Sequence, residues 1–389
     1  MYRKDVNPML KAITNAGKLI TAQDVQYGKL KEKSFYCPEC KDVVILKNGI
    51  FKKSHFAHKP HSQCFESYEK ESEIHLKGKL LLYDLLKKYY RNVEIEKYFA
   101  NIHQRADLSF EHNGGVYAIE FQCSIIPTKI VHKRTNGYIK SGIKPLWILS
   151  HQQLHTIGNH LFSFTAFHYS FLQQTSANKF IIPILNVDTE NLYLLSHLLP
   201  ISTKKSFAHL NLKPLRSHNL YELLNLRNNR MRMSFSSWLQ ERENIKRYGS
   251  FKYSSFSKRF KDEIYRCGFH MGNLPDFCGL PVRGSAKLST SPIQWQTYIF
   301  IDILRHEELF SLEDAYDSMQ CRLERKDIRI RVEIPIELKE VIDAYLYLLN
   351  IIKVIEKIDG TKFQIRSSDM KNKKISKEEG EMIMKMALR

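Results

Sequence analysis

Hydrophobic and polar residues alternate most regularly in the stretch Gln104–Ser124, which reads QRADLSFEHNGGVYAIEFQCS. Alternation with a period of two is typical of a half-buried strand, and HNGG at 112–115 is a turn sequence. The pattern predicts two paired strands, RADLSF (105–110) and VYAIEFQ (116–122). A third strand, VEIEKYF (93–99), precedes them.

The segments before and after this hairpin in the chain predict helices. Between residues 68 and 90 the apolar positions are 74, 81, 82, 85, 86 and 89, a stripe that predicts an amphipathic helix. Gly78 weakens this helix without ending it. Residues 125–142 predict a basic helix after Pro127, and PLWIL (145–149) predicts a buried strand. The order is therefore helix, three strands, helix, strand, as in an α/β core.

The two ends of the chain differ from this core. Short alternating segments before residue 66 predict a small β module, with hairpins at residues 9–23 and around VVILK (43–47). Residues 151–215 mix apolar strands with polar turns, and we expect them either to extend the central sheet or to form an annex. The remainder predicts helices, of which 334–358 is the longest amphipathic stretch.

These patterns predict an α+β protein of several domains. The expected boundaries are an N-terminal β module at 1–66, a central α/β core at 67–152, and a mainly helical, basic C-terminal domain at 153–389. A chain of 389 residues is long enough for two to three domains of ordinary size.

The composition and charge of the chain limit the classes of protein to which it could belong. A hydrophobic content of 43% supplies real cores and excludes a disordered protein. No run approaches the roughly 20 apolar residues of a membrane span, and the start lacks a signal core, so we expect a cytoplasmic protein without a membrane partner. Sixty Lys and Arg against 41 Asp and Glu give a formal charge of +19, which favours nucleic acid as partner. The alternatives are a generally basic surface and docking on an acidic protein.

Two carboxylates, Asp107 and Glu120, lie on the central strands. Carboxylates on adjacent strands can bind Mg²⁺ or Mn²⁺, and such a metal activates water and neutralises charge on a phosphate. The pair therefore predicts a metal-dependent phosphodiesterase site. The alternative is that both are surface residues of a hairpin. Glu120 argues against this, because an unpaired charge is costly inside the apolar run VYAIEFQC.

Gln122 follows Glu120 by two residues and points to the same side of the strand. Most cores of this kind carry a lysine in that place. An amide can orient a water molecule, but it brings no charge and cannot exchange protons. Either another cation supplies the charge, or turnover is slow, or the site only binds. The candidate cations are Lys79, Lys133 and Arg134.

The helix before the hairpin carries Glu71, His75 and Lys79 at spacings of four residues, so the three share one face. One interpretation is a solvated charged face, which is the commoner use of such residues. The other is that Glu71 and His75 face the hairpin and hold or orient a metal ion.

Cysteine and histidine cluster in the N-terminal module. Cys37 and Cys40 have the CxxC spacing of a zinc knuckle, in which both thiolates reach one ion at about 2.3 Å. The second pair of ligands must come from the return segment: His55, His58, His61 and Cys64. We choose His58 and Cys64, with His55 as the substitute. The alternative is unligated cysteines beside a surface histidine cluster.

The segment from Arg216 to Lys261 is basic, and its later part is interleaved with aromatic residues. Basic residues for phosphates and aromatic rings for bases are typical of single-strand binding. An amphipathic helix with a solvated face explains the segment equally well. Cys267, His270 and Cys278 resemble half a metal site, but we interpret them as core or loop residues.

Taken in order, CPEC…HFAH…C, ES-x2-HL-x2-K, VEIEKY…ADLSF…IEFQCS and R-x3-Y…PLWIL resemble the CoiA family of bacterial competence proteins. The match runs from about residue 9 to 150. The resemblance implies a zinc-ribbon-like N-terminus and a PD-(D/E)XK, restriction-endonuclease-like core, in the variant with Gln in the lysine place.

For the site, the resemblance implies a nuclease-like centre formed by Asp107, Glu120 and Gln122. It also favours the helix residues Glu71, His75 and Lys79. Arg134 and Tyr138 fit R-x3-Y and are interpreted, with Lys133, as DNA contacts or site support.

Three functions follow as hypotheses. The first is a metal-dependent deoxyribonuclease, with Mg²⁺ or Mn²⁺, that processes or recombines incoming single-stranded DNA during natural transformation, as the resemblance implies. The second is a catalytically weak protein of the same fold that binds DNA or loads recombination proteins. The third, a zinc-organised scaffold that contacts only proteins, suits the +19 charge least.

Overall fold

The contacts among Cα atoms divide the chain into two units. Unit 1 comprises Met1–Gln153, Ile182–Leu194 and Leu212–Asn225, and unit 2 comprises the remaining segments. The computed structural model describes the following residues: 8–22, 25, 34–38, 41–47, 54–59, 72–175, 180–217, 219–224, 233–249, 251, 256–331, 334–366 and 373–388. No helix among them is both long and apolar enough to cross a membrane.

Unit 1 begins with a small antiparallel sheet, which agrees with the β module expected there. Its strands are β1 Pro8–Met9, β2 Lys11–Thr14, β3 Leu19–Thr21, β4 Phe35–Tyr36, β5 Val43–Lys47 and β6 His55–His58. They lie in the order β1-β6-β5-β4-β2-β3. Gly17, with a φ of 74°, turns the predicted β2–β3 hairpin. Phe35 and Phe56 pack at a ring-centroid distance of 5.1 Å in the core.

The central core of unit 1 has the predicted order of helix, three strands, helix and strand. Its elements are α1 Glu73–Tyr89, β7 Arg91–Phe99, β8 Gln104–His112, β9 Gly115–Gln122, α2 Thr128–Lys140 and β10 Lys144–Ser150. Strands β7, β8 and β9 pair antiparallel, and β10 pairs parallel to β9. A mixed α+β arrangement around a central sheet is therefore confirmed.

Strands that follow β10 also join this sheet. They are β14 Phe180–Asn186, β15 Asn191–Pro200 and β16 Lys205–Pro214, and each has residues in both units. β14 pairs parallel to β10, with Leu149 opposite Ile184. Of the two expectations for residues 151–215, extension of the sheet is the one that the structure supports.

Helix α1 buries a face that differs from the predicted stripe. Leu82, Leu85 and Leu86 are buried as predicted, but Leu76 and Leu80 are buried as well, whereas Tyr89 is 47% exposed. Ser72 caps the helix by accepting a hydrogen bond from the His75 amide, at 3.2 Å. The stripe was wrong at its C-terminal end, because Tyr89 belongs to the last turn, where the helix gives way to β7.

Unit 2 contains further strands. They are β11 His155–Gly158, β12 Leu161–Ser163 and β13 Gln173–Gln174, with part of β14 to β16, and a separate sheet of β17 Leu309–Ser311, β18 Ile355–Asp359 and β19 Lys362–Ile365. The predicted helix at 334–358 is shorter than expected. It ends at Ile351, because Lys353 takes a left-handed φ of 57° and Ile355 then pairs with Ile365.

The described part of unit 2 beyond residue 233 contains six α-helices. They are α5 Phe235–Tyr248, α6 Lys258–Arg266, α7 Pro292–Ile299, α8 Leu312–Glu324, α9 Leu338–Ile351 and α10 Lys377–Ala387; the shorter α3 Ala166–Tyr169 precedes them, and α4 Leu220–Leu224 belongs to unit 1. Trp238 and Phe260 of the basic, aromatic segment are core residues, while Tyr248 and Phe251 are exposed. Its aromatic residues therefore divide between the two interpretations offered for that segment.

Candidate active site

Strands β8 and β9 bring the two predicted carboxylates together. The register pairs Leu108 with Ile119, which places Asp107 across from Glu120. The backbone amide of Phe121 donates to Asp107 Oδ2 at 2.8 Å. The hairpin that the alternating pattern predicted is thus the element that aligns both side chains.

Asp107 is held from the α1 side. His75 Nε2 lies 3.1 Å from its Oδ2, and the carboxylate is partly exposed. Burial by itself would raise the pKa of Asp107. The charge and hydrogen bond of His75, the charge of Lys79 and the amide of Phe121 outweigh burial and lower this pKa well below its usual range. Asp107 is therefore ionised at neutral pH, which is the form that binds a metal ion.

Glu120 is held from the α2 side and is 6% exposed. Its Oε1 accepts hydrogen bonds from Arg134 and from the hydroxyl of Tyr138, which is fully buried. Burial raises the pKa of Glu120 to about 7, against the lowering effect of Arg134, and the negative charge of Asp107 adds to the rise. The carboxyl group therefore changes its charge near neutral pH.

Helix α1 approaches β9 closely because it has no side chain at Gly78. A Cβ atom there would lie 2.1 Å from the ring of Phe121. The same ring stacks on His75 with a centroid distance of 5.9 Å. The glycine that weakened the sequence prediction is what lets His75 reach Asp107.

Lys79 is almost fully buried and donates to Glu96 Oε1 at 2.8 Å. The positive charge of Lys79 lowers the pKa of Asp107. The negative charge of Glu96 compensates the charge of Lys79. Glu96 takes a left-handed φ of 51° within β7. The sequence prediction missed Glu96; its only signal was a second glutamate in the strand pattern VEIEKYF.

Gln122 stands at the end of β9, in the lysine place. Its Nε2 donates to the backbone oxygen of Ser124 at 2.8 Å and lies 3.1 Å from the Ser124 hydroxyl. The amide nitrogen thus supports the turn after the strand. Its oxygen is the remaining group that could orient a water molecule.

The three predicted residues on helix α2 lie in different environments. Arg134 bridges Glu120 and the backbone oxygen of Arg105, which it contacts at 2.7 Å. Tyr138 is buried, so of its two proposed roles, DNA contact and site support, its position suits the second. Lys133 is exposed and is the one of the three whose position suits contact with a phosphate.

The N-terminal ligand candidates are described only in part. Cys37 and His58 are both buried, near the ends of β4 and β6. Burial lowers the pKa of His58, partly offset by Asp42, which favours the neutral imidazole that binds zinc. His55 lies partly buried in β6, whereas Cys40, His61 and Cys64 lie outside the described residues, as does Glu71 of the central site.

Within the described part of the chain, no group of three or more His, Cys, Asp or Glu side chains is arranged to hold a metal ion. Asp107 and Glu120 are two carboxylates of the kind that could bind Mg²⁺, with water and phosphate as the usual further ligands. Glu120 Oε1 accepts the two hydrogen bonds from α2, so Oε2 would be the oxygen left for a metal.

Comparison with known proteins shows which protein family the sequence matches. The family description "Competence protein CoiA, nuclease-like domain" matches residues 71–228. The N-terminal and C-terminal domain descriptions of the same family match residues 19–67 and 233–379. Competence protein CoiA of Bacillus subtilis (strain 168) is 26% identical over 344 residues, which cover 85% of this chain and 89% of that protein.

Proposed function

The chain belongs to the competence protein CoiA family, and from this premise we propose that it is a metal-dependent nuclease that processes single-stranded DNA during natural transformation. The observation that carries the proposal is the Asp107–Glu120 pair on adjacent strands of the nuclease-like domain. The formal charge of +19 supports a polyanionic partner.

Asp107 and Glu120 would hold Mg²⁺ or Mn²⁺, and the bound metal would activate water and neutralise charge on the phosphate. Asp107 is the ready ligand, since it is ionised and fixed by His75. Glu120 becomes a ligand when it loses its proton, close to neutral pH. Lys79 places a positive charge beside Asp107, in a site whose lysine position is occupied by Gln122.

DNA would reach this pair along α2. Lys133 is exposed on that helix and would bind a backbone phosphate, which contributes affinity without sequence preference. Arg134 and Tyr138 would hold the Glu120 carboxylate in place, because each donates a hydrogen bond to it. The helix therefore combines one outward cation with two residues that position a carboxylate.

Cleavage of labelled single- and double-stranded DNA with Mg²⁺ or Mn²⁺ tests the proposal. We expect the native protein to cleave, and the variants Asp107→Ala and Glu120→Ala to lose cleavage while still binding DNA. Glu111→Ala is the matched control, because Glu111 is an exposed carboxylate on the same strand as Asp107. Cleavage that survives in both site variants would refute the assignment of the site.

A DNA-binding protein that loads recombination factors is the second candidate. Two observations favour it: Glu120 Oε1 accepts two hydrogen bonds, and the Gln122 amide is turned toward Ser124. Both limit the groups available for chemistry. DNA binding without cleavage under every metal condition, in the native protein, would select this candidate over the nuclease.

For the N-terminal module we propose a structural zinc ion held by Cys37, Cys40, His58 and Cys64, with His55 as the substitute ligand. The buried positions of Cys37 and His58 support it. A closed four-ligand site would stabilise a sheet with few core residues. Metal analysis of tag-free protein should find stoichiometric zinc that Cys37→Ser removes; zinc-free folded protein would overturn the idea.

A further inference from the structure

Two aromatic rings are exposed side by side where helix α5 of unit 2 ends. Tyr248 is the last residue of α5 and is 59% exposed, and Phe251 is 61% exposed. Their ring centroids are 5.9 Å apart and their planes differ by 29°, so the rings are stacked. Single exposed apolar side chains are common, but adjoining ones form a patch, and such patches mark interaction surfaces.

Helix α6 extends this patch with a third ring and two lysines. The half-buried Lys261 donates from Nζ to the backbone oxygen of Phe251 at 3.4 Å, which places one side of α6 next to the ring pair. Tyr265 follows Lys261 by four residues, so it lies on the same side of the helix, and it is 77% exposed. Lys258 lies one turn earlier and is exposed. We call Tyr248, Phe251, Lys258, Lys261 and Tyr265 the aromatic-basic face.

The other sides of α6 fix the helix to the core of unit 2. Phe260 and Ile264 are buried there. Glu263 pairs with the buried Arg322 at 2.7 Å, so this acid is directed away from the aromatic-basic face. The face is therefore presented by a helix that is anchored by both apolar packing and an ion pair.

The charge around the three rings is positive. Arg247, next to Tyr248, is exposed. Asp262 is an exposed acid one turn after Lys258. It offsets one of the three positive charges of Arg247, Lys258 and Lys261, so a net positive charge remains. The face therefore complements a polyanion, in agreement with the formal charge of +19 on the chain.

We propose that the aromatic-basic face binds single-stranded DNA, with bases stacked on its three rings and phosphates bound by its two lysines. Exposed rings interleaved with cations are the features with which proteins hold single strands without sequence preference. The bases of a duplex already stack on one another, so exposed rings favour a single strand. An acidic peptide would use the lysines and leave the flat ring surfaces without matching partners.

This surface is additional to the proposed nuclease site and shares with it only the class of ligand. The face belongs to unit 2, whereas Asp107 and Glu120 belong to unit 1. It would bind a strand whether or not the carboxylate pair cleaves DNA. Binding measured without metal therefore tests the face, and cleavage measured with metal tests the pair, so the two proposals can fail separately.

Fluorescence anisotropy of a labelled oligo(dT) strand of about 30 nucleotides tests the face, with the full chain in EDTA so that no metal-dependent cleavage occurs. Replacing both Tyr248 and Phe251 by alanine should weaken binding by about tenfold or more, because base stacking is lost. The slope of affinity against salt concentration should stay unchanged, since no phosphate contact is removed. Tyr347→Ala is the matched control and should bind as the native protein does, because Tyr347 is a 51% exposed tyrosine on α9 of the same unit.

Lys261→Gln tests the phosphate contact separately. Binding should weaken a few-fold, and the salt slope should fall by about 0.7, the value for one phosphate contact on a single strand. Lys385→Gln is the control, because Lys385 is an exposed lysine on α10. A native salt slope in Lys261→Gln would overturn the assignment of this lysine to a phosphate.

Native affinity in the double variant of Tyr248 and Phe251 would overturn the proposal, and so would an equal loss in Tyr347→Ala. Duplex DNA whose binding depends on the two rings to the same degree would overturn the preference for a single strand. A double variant with a changed oligomeric state and native DNA affinity would show that the face binds a second copy of the chain instead. If the double variant fails to fold, Tyr265→Ala decides, with an expected loss of about fivefold or more, because this ring is 77% exposed and lies outside the core.

Discussion

The pKa values of the two carboxylates on the hairpin are shifted in opposite directions. On the α1 side, His75, Lys79 and the Phe121 amide keep the partly exposed Asp107 ionised. On the α2 side, Arg134 and Tyr138 contact Glu120, yet burial still raises its pKa to about 7. Both sides supply positive charge or donors, but these outweigh burial only at Asp107; at Glu120, burial and the negative charge of Asp107 outweigh them.

This contrast gives the two carboxylates different roles. In the proposed metal site, Asp107 is already ionised at physiological pH, whereas Glu120, held by α2, loses its proton as the pH rises through about 7. A site with one fixed and one conditional ligand should be sensitive to pH and to the residues behind each carboxylate. The following predictions test each side separately.

The largest expected effect is on the α1 side, from His75→Ala. Removing the partner of Asp107 should lower DNA cleavage by about 10–100-fold, as is usual when a residue that orients a metal ligand is lost. His75→Gln should restore part of the activity, because its amide nitrogen can still donate to Asp107. A single-turnover assay measures both; equal activity in the alanine variant and the native protein would show that His75 is only a packing residue.

Gly78→Ala tests the close approach of α1 to β9. The added Cβ would lie 2.1 Å from the Phe121 ring, so we expect a loss of about 1–3 kcal/mol in unfolding free energy despite the better helix propensity of alanine. Urea denaturation measures it. Gly158→Ala is the control for the change of residue alone, since Gly158 has no positive φ and open space around it. No loss of stability at Gly78 would contradict the packing described here.

Glu120→Gln tests the α2 side through stability. A folded pKa near 7 against an ordinary value near 4.5 means that the contribution of Glu120 is fully present below pH 4.5 and is lost as the pH rises through 7. Glutamine carries no proton to lose. Between pH 6 and pH 8 the native protein should therefore lose about 1 kcal/mol relative to the variant.

Unfolding curves at the two pH values measure this difference in the metal-free protein. Glu111→Gln, at an exposed site, should track the native protein at both. A Glu120→Gln variant whose stability relative to the native protein is the same at pH 6 and pH 8 would show that the pKa of Glu120 is not raised.

The smallest expected effect comes from Gln122→Lys, which restores a cation to the lysine place. Charge interactions at partly exposed positions amount to about 0.2–1 kcal/mol, so cleavage should rise a few-fold. Gln122→Met separates charge from side-chain size and should not raise activity. If the lysine variant cleaves no faster than the methionine variant, the missing charge does not limit turnover.

Much of the core could be predicted from sequence, because its signals are local. The alternation around Asp107 and Glu120 and the turn at 112–115 specify a hairpin, and a hairpin fixes which residues lie across from each other. The apolar run PLWIL likewise specified β10. Spacing placed His75 and Lys79 on one helix face, but it left open whether this face was solvated or turned toward the hairpin.

Features that depend on distant contacts could not be predicted in this way. Glu96 pairs with Lys79 across 17 residues of chain and has a left-handed φ, and the sequence pattern reveals neither feature. The pairing of β14 with β10 and the end of α9 at Ile351 depend on strands that meet far apart in the chain.

The central claim is that Asp107 and Glu120 together bind a metal ion, and counting bound Mn²⁺ tests it most directly. Electron paramagnetic resonance of free Mn²⁺ at pH 8, without DNA, gives the number of ions bound per chain. The native protein and Glu111→Gln should bind one Mn²⁺ more than Asp107→Asn and Glu120→Gln. Equal binding by all four proteins would contradict the claim.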